Sequence, residues 1–181
     1  MRRILTVLVL LVALAAAPAA PAWIWPVAGP VLRPFSLGPD TYAAGQHRGV
    51  DIGAEVGSPV LAPASGTVSF VGSIPSGGRA VTIQTPDGYA VTLLQLGSTG
   101  VLRGSLVEEG AVVGAVGESA DVVTSAAHVH LGVRVAAESD GYVDPLRLLP
   151  VLVPEPVPAP PPLLPEPQPA AEPTLAVAPV D

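Results

Sequence analysis

The sequence predicts an all-β domain, a small antiparallel barrel or sandwich, and three observations carry that expectation. Apolar runs between Trp23 and Leu149 are short and punctuated by glycine and proline. The step Asp87-Gly88 joins two runs rich in β-branched residues. No stretch of the domain sustains the 3.6-residue repeat of an amphipathic helix.

The chain divides into three parts. Residues 1–22, "MRRILTVLVLLVALAAAPAAPA", place two arginines before an unbroken apolar run and end in small residues and prolines. That is the pattern of a secretory signal peptide with Ala20-Pro21-Ala22 as a small-x-small cleavage site. A membrane span needs roughly 20 apolar residues, and Pro18 and Pro21 interrupt this one. The expectation is therefore export to the cell envelope or medium, without stable membrane insertion after cleavage. Residues 150–181 are dominated by proline, alanine and valine. Proline at that density excludes helix interiors and sheet ladders, so an extended, disordered tail is expected. The domain lies between them, over 23–149.

Within the domain, "GTVSFVGS" (66–73) alternates in the manner of a half-buried strand. "AVTIQT" (80–85) and "YAVTLLQL" (89–96) flank Pro86-Asp87-Gly88. Glycine supplies the positive φ that a tight hairpin turn needs. In "VLRGSLVEEGAVVGAVGES" (101–119), glycines at 104, 110, 114 and 117 are too frequent for a helix. Along 127–135, strand parity puts His128, His130, Gly132 and Arg134 on one face and Val129, Leu131, Val133 and Val135 on the core face.

Charge narrows the function classes. The chain has eight arginines, no lysine and fifteen carboxylates, and two of the arginines lie in the leader. An acidic protein of this kind is a poor electrostatic partner for nucleic acid. There is no cysteine, so stability comes from packing or from a metal, without disulfides.

The three histidines fall in two short stretches, His47 in "GQHRGVDIGA" and His128 with His130 in "SAAHVHLGVRV". Imidazole is the commonest metal ligand, and His, Asp, His is a plausible zinc set when Asp51, four residues after His47, is included. Three protein ligands leave the fourth tetrahedral position to water.

The sequence also resembles the lysostaphin- and LytM-type zinc metallopeptidases, which cut peptide bonds in peptidoglycan. "HRGVDIGAEVGSPVLAPASGTV" (47–68) is similar to that family's first block, "VEEGAVVGAVG" (107–117) to its glycine-spaced connection, "HVHLGV" (128–133) to its His-x-His block and "VDPLRLL" (143–149) to its closing segment. The resemblance implies one zinc ion held by His47, Asp51 and His130, with His128 moving protons beside it, and peptidoglycan peptides as substrate. It also implies an envelope setting in which another envelope protein is a possible partner.

One position departs from the family. Active members carry a further histidine near the end of the central hairpin, and here "TLLQL" places Gln95 there. Glutamine cannot act as a base, but its amide can donate a hydrogen bond. Two functions follow: a secreted zinc endopeptidase that retains chemistry with Gln95 in the catalytic set, or an impaired domain that binds peptidoglycan or regulates another wall hydrolase. An ordinary polar strand-end role for Gln95 is the alternative to a catalytic one. Asp144, before Pro145, is expected to cap a chain reversal. Trp23 and Trp25 are expected to pack the N-terminal arm across the domain. Arg134 shares the histidine face by parity, where it faces either solvent or a substrate carboxylate.

Overall fold

A computed structural model describes residues 23–40, 43–75 and 77–151. The leader predicted over 1–22 and all but the first two residues of the predicted tail lie outside the described residues. Among the described residues the regular structure is ten strands and one short 3-10 turn. The strands are β1 (Val31–Arg33), β2 (Gly49–Gly53), β3 (Pro59–Leu61), β4 (Gly66–Ile74), β5 (Gly78–Gln84), β6 (Tyr89–Thr99), β7 (Leu106–Val107), β8 (Val112–Val116), β9 (His128–Val135) and β10 (Tyr142–Val143). All pairings are antiparallel. The order is β1-β2-β9-β6-β5-β4-β7, with β10 on β9 and β8 linking β3 to β6. The all-β antiparallel expectation holds.

The predicted hairpin joins β5 to β6. Gly88 takes φ 90°, Thr85 N–H donates to the Tyr89 carbonyl at 2.9 Å, and Gly88 N–H to the Thr85 carbonyl at 3.1 Å. Strand parity on β9 holds for Val129, Leu131 and Val133, whereas Val135, at the end of the strand, is only half-buried and lies outside the core. Val129, Leu131 and Val133 are buried against Val50 and Ile52 of β2 and Val91 and Leu93 of β6. Each such side chain contributes about 1.5–3 kcal/mol on leaving water. The N-terminal arm packs as expected, with Trp23 edge-on to Tyr89 at 5.7 Å and Trp25 Nε1 donating to the Pro150 carbonyl at 2.9 Å. Asp144 caps the 3-10 turn Pro145–Arg147 by accepting from Leu146 N–H.

Strand β6 does two jobs. Its first part, Tyr89–Leu94, pairs with β9, and Leu96–Thr99 pairs with β8. Gln95 stands at the handover with φ 65°, the single non-glycine residue with positive φ among the described residues. That conformation costs an L-residue roughly 1–2 kcal/mol. Two backbone bonds of 2.8 Å hold it, Gln95 N–H to the Gly77 carbonyl and Gly117 N–H to the Gln95 carbonyl.

Burial predicts where substitution matters. Leu131→Ala in the core is expected to cost about 2–5 kcal/mol, and Leu106→Ala, at an exposed position of β7, less than about 0.5 kcal/mol. Urea unfolding of the two variants checks the difference.

Candidate metal centre

The β2–β9 register sets Asp51 directly opposite His130. His47, two residues before β2, is fixed by reciprocal backbone bonds with Ser36 of 3.0 and 2.7 Å. The three side chains converge. His47 Nε2 lies 3.0 Å from Asp51 Oδ1, and His130 Nδ1 lies 2.8 Å from the same oxygen and 3.1 Å from His47 Nε2. Asp51 and His47 are buried, while His130 keeps 18% of its side chain exposed. Gly49 makes the room: a Cβ there would stand 2.6 Å from His130 Nε2 and 2.4 Å from the Leu131 carbonyl oxygen.

The chemistry of this donor set fits a cation. His47 Nδ1 lies 2.8 Å from the Pro34 carbonyl oxygen, which can only accept, so Nδ1 carries the hydrogen and Nε2 a lone pair. That lone pair faces a carboxylate oxygen, also an acceptor. Two acceptors at 3.0 Å repel unless positive charge sits between them. Thr124 Oγ1 donates to Asp51 Oδ2 at 2.9 Å, which leaves Oδ1 as the oxygen turned to the imidazoles. Nitrogen and oxygen donors of this kind suit zinc.

His128 shares the His130 face, as parity predicts, yet it is fully buried. Its Nδ1 lies 2.7 Å from the Ala126 carbonyl oxygen, so here too Nδ1 carries the hydrogen. Nε2 then bears a lone pair, 3.8 Å from Asp51 Oδ1, with no hydrogen-bond partner. Residues 118–127 form one flank of the site. Asp121, Asp51 and His128 each bring one ligand-type atom within 4.8 Å of the others'. Ser119 Oγ donates to the Thr124 carbonyl at 2.5 Å, and Asp121 Oδ1 accepts from Val123 N–H at 2.8 Å. Sequence pattern had no means of finding Asp121 or Thr124, because polar residues in a connection are commonplace and only the fold brings these two to Asp51.

Gln95 is buried at 3% exposure. Its Oε1 accepts from Ala120 N–H at 2.9 Å, tying β6 to the 118–127 connection. Arg134 lies on the same side of β9, along a groove that His130 also lines.

Burial raises the cost of charge on Asp51, and with no cation between them the neighbouring imidazoles of His130 and His47 outweigh it, holding the carboxyl well below the usual carboxylate range. A lowered carboxyl pKa adds stability that is complete above the unfolded-state value and is lost as pH falls towards the folded one. In chelator, the natural chain is therefore expected to lose stability as pH drops below about 4, and Asp51→Asn to remove that contribution to the slope; denaturant unfolding across pH 2–6 measures it. Thr124→Val, which deletes one bond to a buried carboxylate, is expected to cost about 1.5–3 kcal/mol by the same method.

Residues 45–145 match the family model described as peptidase family M23. The uncharacterized lipoprotein YgeR of Escherichia coli is 31% identical over 71% of this chain and 47% of its own length. The murein hydrolase activator NlpD of Salmonella dublin is 28% identical over 71% of this chain and 32% of its own. Among solved structures, the catalytic domain of lysostaphin from Staphylococcus simulans is 28% identical, with a TM-score of 0.54 over 66% of this chain and 88% of that one. A zinc-containing peptidase from Vibrio cholerae is 26% identical, with a TM-score of 0.60 over 71% of this chain and 41% of that one. The chain spans about half or less of the length of these curated relatives.

Proposed function

The chain belongs to peptidase family M23, and from that premise we propose that it is a secreted zinc-dependent endopeptidase that hydrolyses peptide bonds in peptidoglycan. The observation that carries the reading is the convergence of His47, Asp51 and His130 beside the unpartnered lone pair of His128. His47 Nε2, Asp51 Oδ1 and His130 Nδ1 are the atoms that would hold the ion. The chemistry that zinc supplies there is Lewis acidity, which polarises a carbonyl and lowers the pKa of water to about 7.

The chain's own residues do the rest. His128 Nε2 takes a proton from the attacking water, and the Ala126 carbonyl keeps the ring in the tautomer that permits it. That proton then passes from Nε2 to the leaving amine. Gln95 can donate a hydrogen bond to developing charge but cannot exchange a proton. A location at or beyond the cell envelope is supported by the names of the lipoprotein and murein-hydrolase relatives; no helix among the described residues is long and apolar enough to cross a membrane.

A second reading has its own observation. Gln95 spends its carbonyl oxygen on Ala120 N–H, a structural use, and one relative is named an activator of murein hydrolases. In that reading the domain binds wall peptides or regulates another hydrolase. Release of soluble peptides from purified peptidoglycan by the zinc-supplied chain separates the two. The endopeptidase reading expects release that falls about 100-fold or more in His128→Ala. No release from the natural chain, with release from Gln95→His, establishes the regulatory reading instead.

A further inference from the structure

A groove of about 520 Å³ has His130 among its lining residues. Phe70 and Thr92 lie along it, and Arg48, Arg134 and Tyr142 line it as well. Among the described residues no aspartate or glutamate lines it, although the chain carries fifteen carboxylates and a net charge of −7. The charged side chains that line it among the described residues are thus arginines, on an acidic protein.

Arg134 is held in place. Its Nη1 donates to the Glu138 carbonyl, and at longer range to the carbonyls of Val135 (3.4 Å) and Ala136 (3.5 Å). These acceptors are neutral, and the ion pairs among the described residues give Arg134 no carboxylate partner. Tyr142 is its Cα partner across the β9–β10 ladder, and the Arg48 guanidinium sits 5.5 Å from the centre of the Tyr142 ring. A guanidinium fixed by carbonyls, half-buried and lacking a counter-charge, is prepared for an anion, and its planar fork matches a carboxylate.

The geometry points to a subsite for a peptide carboxylate at Arg134. His130 and Arg134 share one face of β9 and are separated by four residues, about 13 Å at roughly 3.3 Å per residue. An extended peptide with its reacting bond at the His130 end would bring a carboxylate some four residues away onto Arg134. The inference rests on the peptide-binding reading of this groove and adds to it a preference for peptides that carry a free acid there.

The test is binding, read by NMR titration of the full chain with acetyl-tetraalanine and with its C-terminal amide. The free acid is expected to bind about tenfold more tightly than the amide. The ratio should fall to near one in Arg134→Gln and be largely kept in Arg134→Lys, which preserves the charge. Equal affinities in the natural chain overturn the subsite. So does a preference that survives in folded Arg134→Gln, since the carboxylate is then captured elsewhere, as at the histidine cluster. Were Arg134→Gln to unfold, the ratios of the natural chain and of Arg134→Lys decide the matter. Hydrolysis plays no part in the measurement. An acid preference without peptide release from peptidoglycan would sink the enzyme reading alone, and release without a preference would sink the subsite alone.

Discussion

Asp51 and His130 are Cα partners in the β2–β9 ladder, and the site exists only in that register. Side chains alternate along a strand, so a slip of one residue would send Asp51 to the core face and bring Val50 or Ile52 to the imidazoles. The apolar residues prevent the slip. Val50 and Ile52 on β2 and Val129, Leu131 and Val133 on β9 are all buried, and turning them outward would forfeit several kcal/mol. The hydrophobic core therefore fixes the geometry of a polar cluster on the opposite face.

Around that cluster, backbone carbonyls select the imidazole tautomers. Pro34 and Ala126 each take the Nδ1 hydrogen of one histidine, His47 and His128, so both present an Nε2 lone pair to the same interior. Thr124 orients the carboxylate between them. Such supporting contacts govern ligand orientation as much as the ligand types do. The 118–127 connection matters twice, through Thr124 on Asp51 and through Ala120 on Gln95.

Much of this was legible in the sequence, for identifiable reasons. The β-class, the Asp87-Gly88 hairpin and the two faces of β9 follow from local rules about glycine, β-branching and period-two alternation. Histidine scarcity marked the two stretches that hold His47, His128 and His130, but only the family resemblance singled out His130 as the partner of His47 and Asp51. The burial of His128 was not legible, because parity assigns a face and says nothing of what covers it. Nor was the bend at Gln95. Nothing in "TLLQL" signals a left-handed residue, and the conformation is imposed by β6 leaving β9 for β8.

The separation of the ligands along the chain has a consequence for assembly. Asp51 and His130 lie 79 residues apart, so neither half of the chain alone holds the three donors. Closing a loop of that length costs entropy before the contacts are made, and folds dominated by distant pairings form slowly. An ion bound by His47, Asp51 and His130 would thus reward only chains that had already joined β2 to β9. Metal capture would then act as a proofreading step on folding, retaining the correctly paired chain and leaving the others empty.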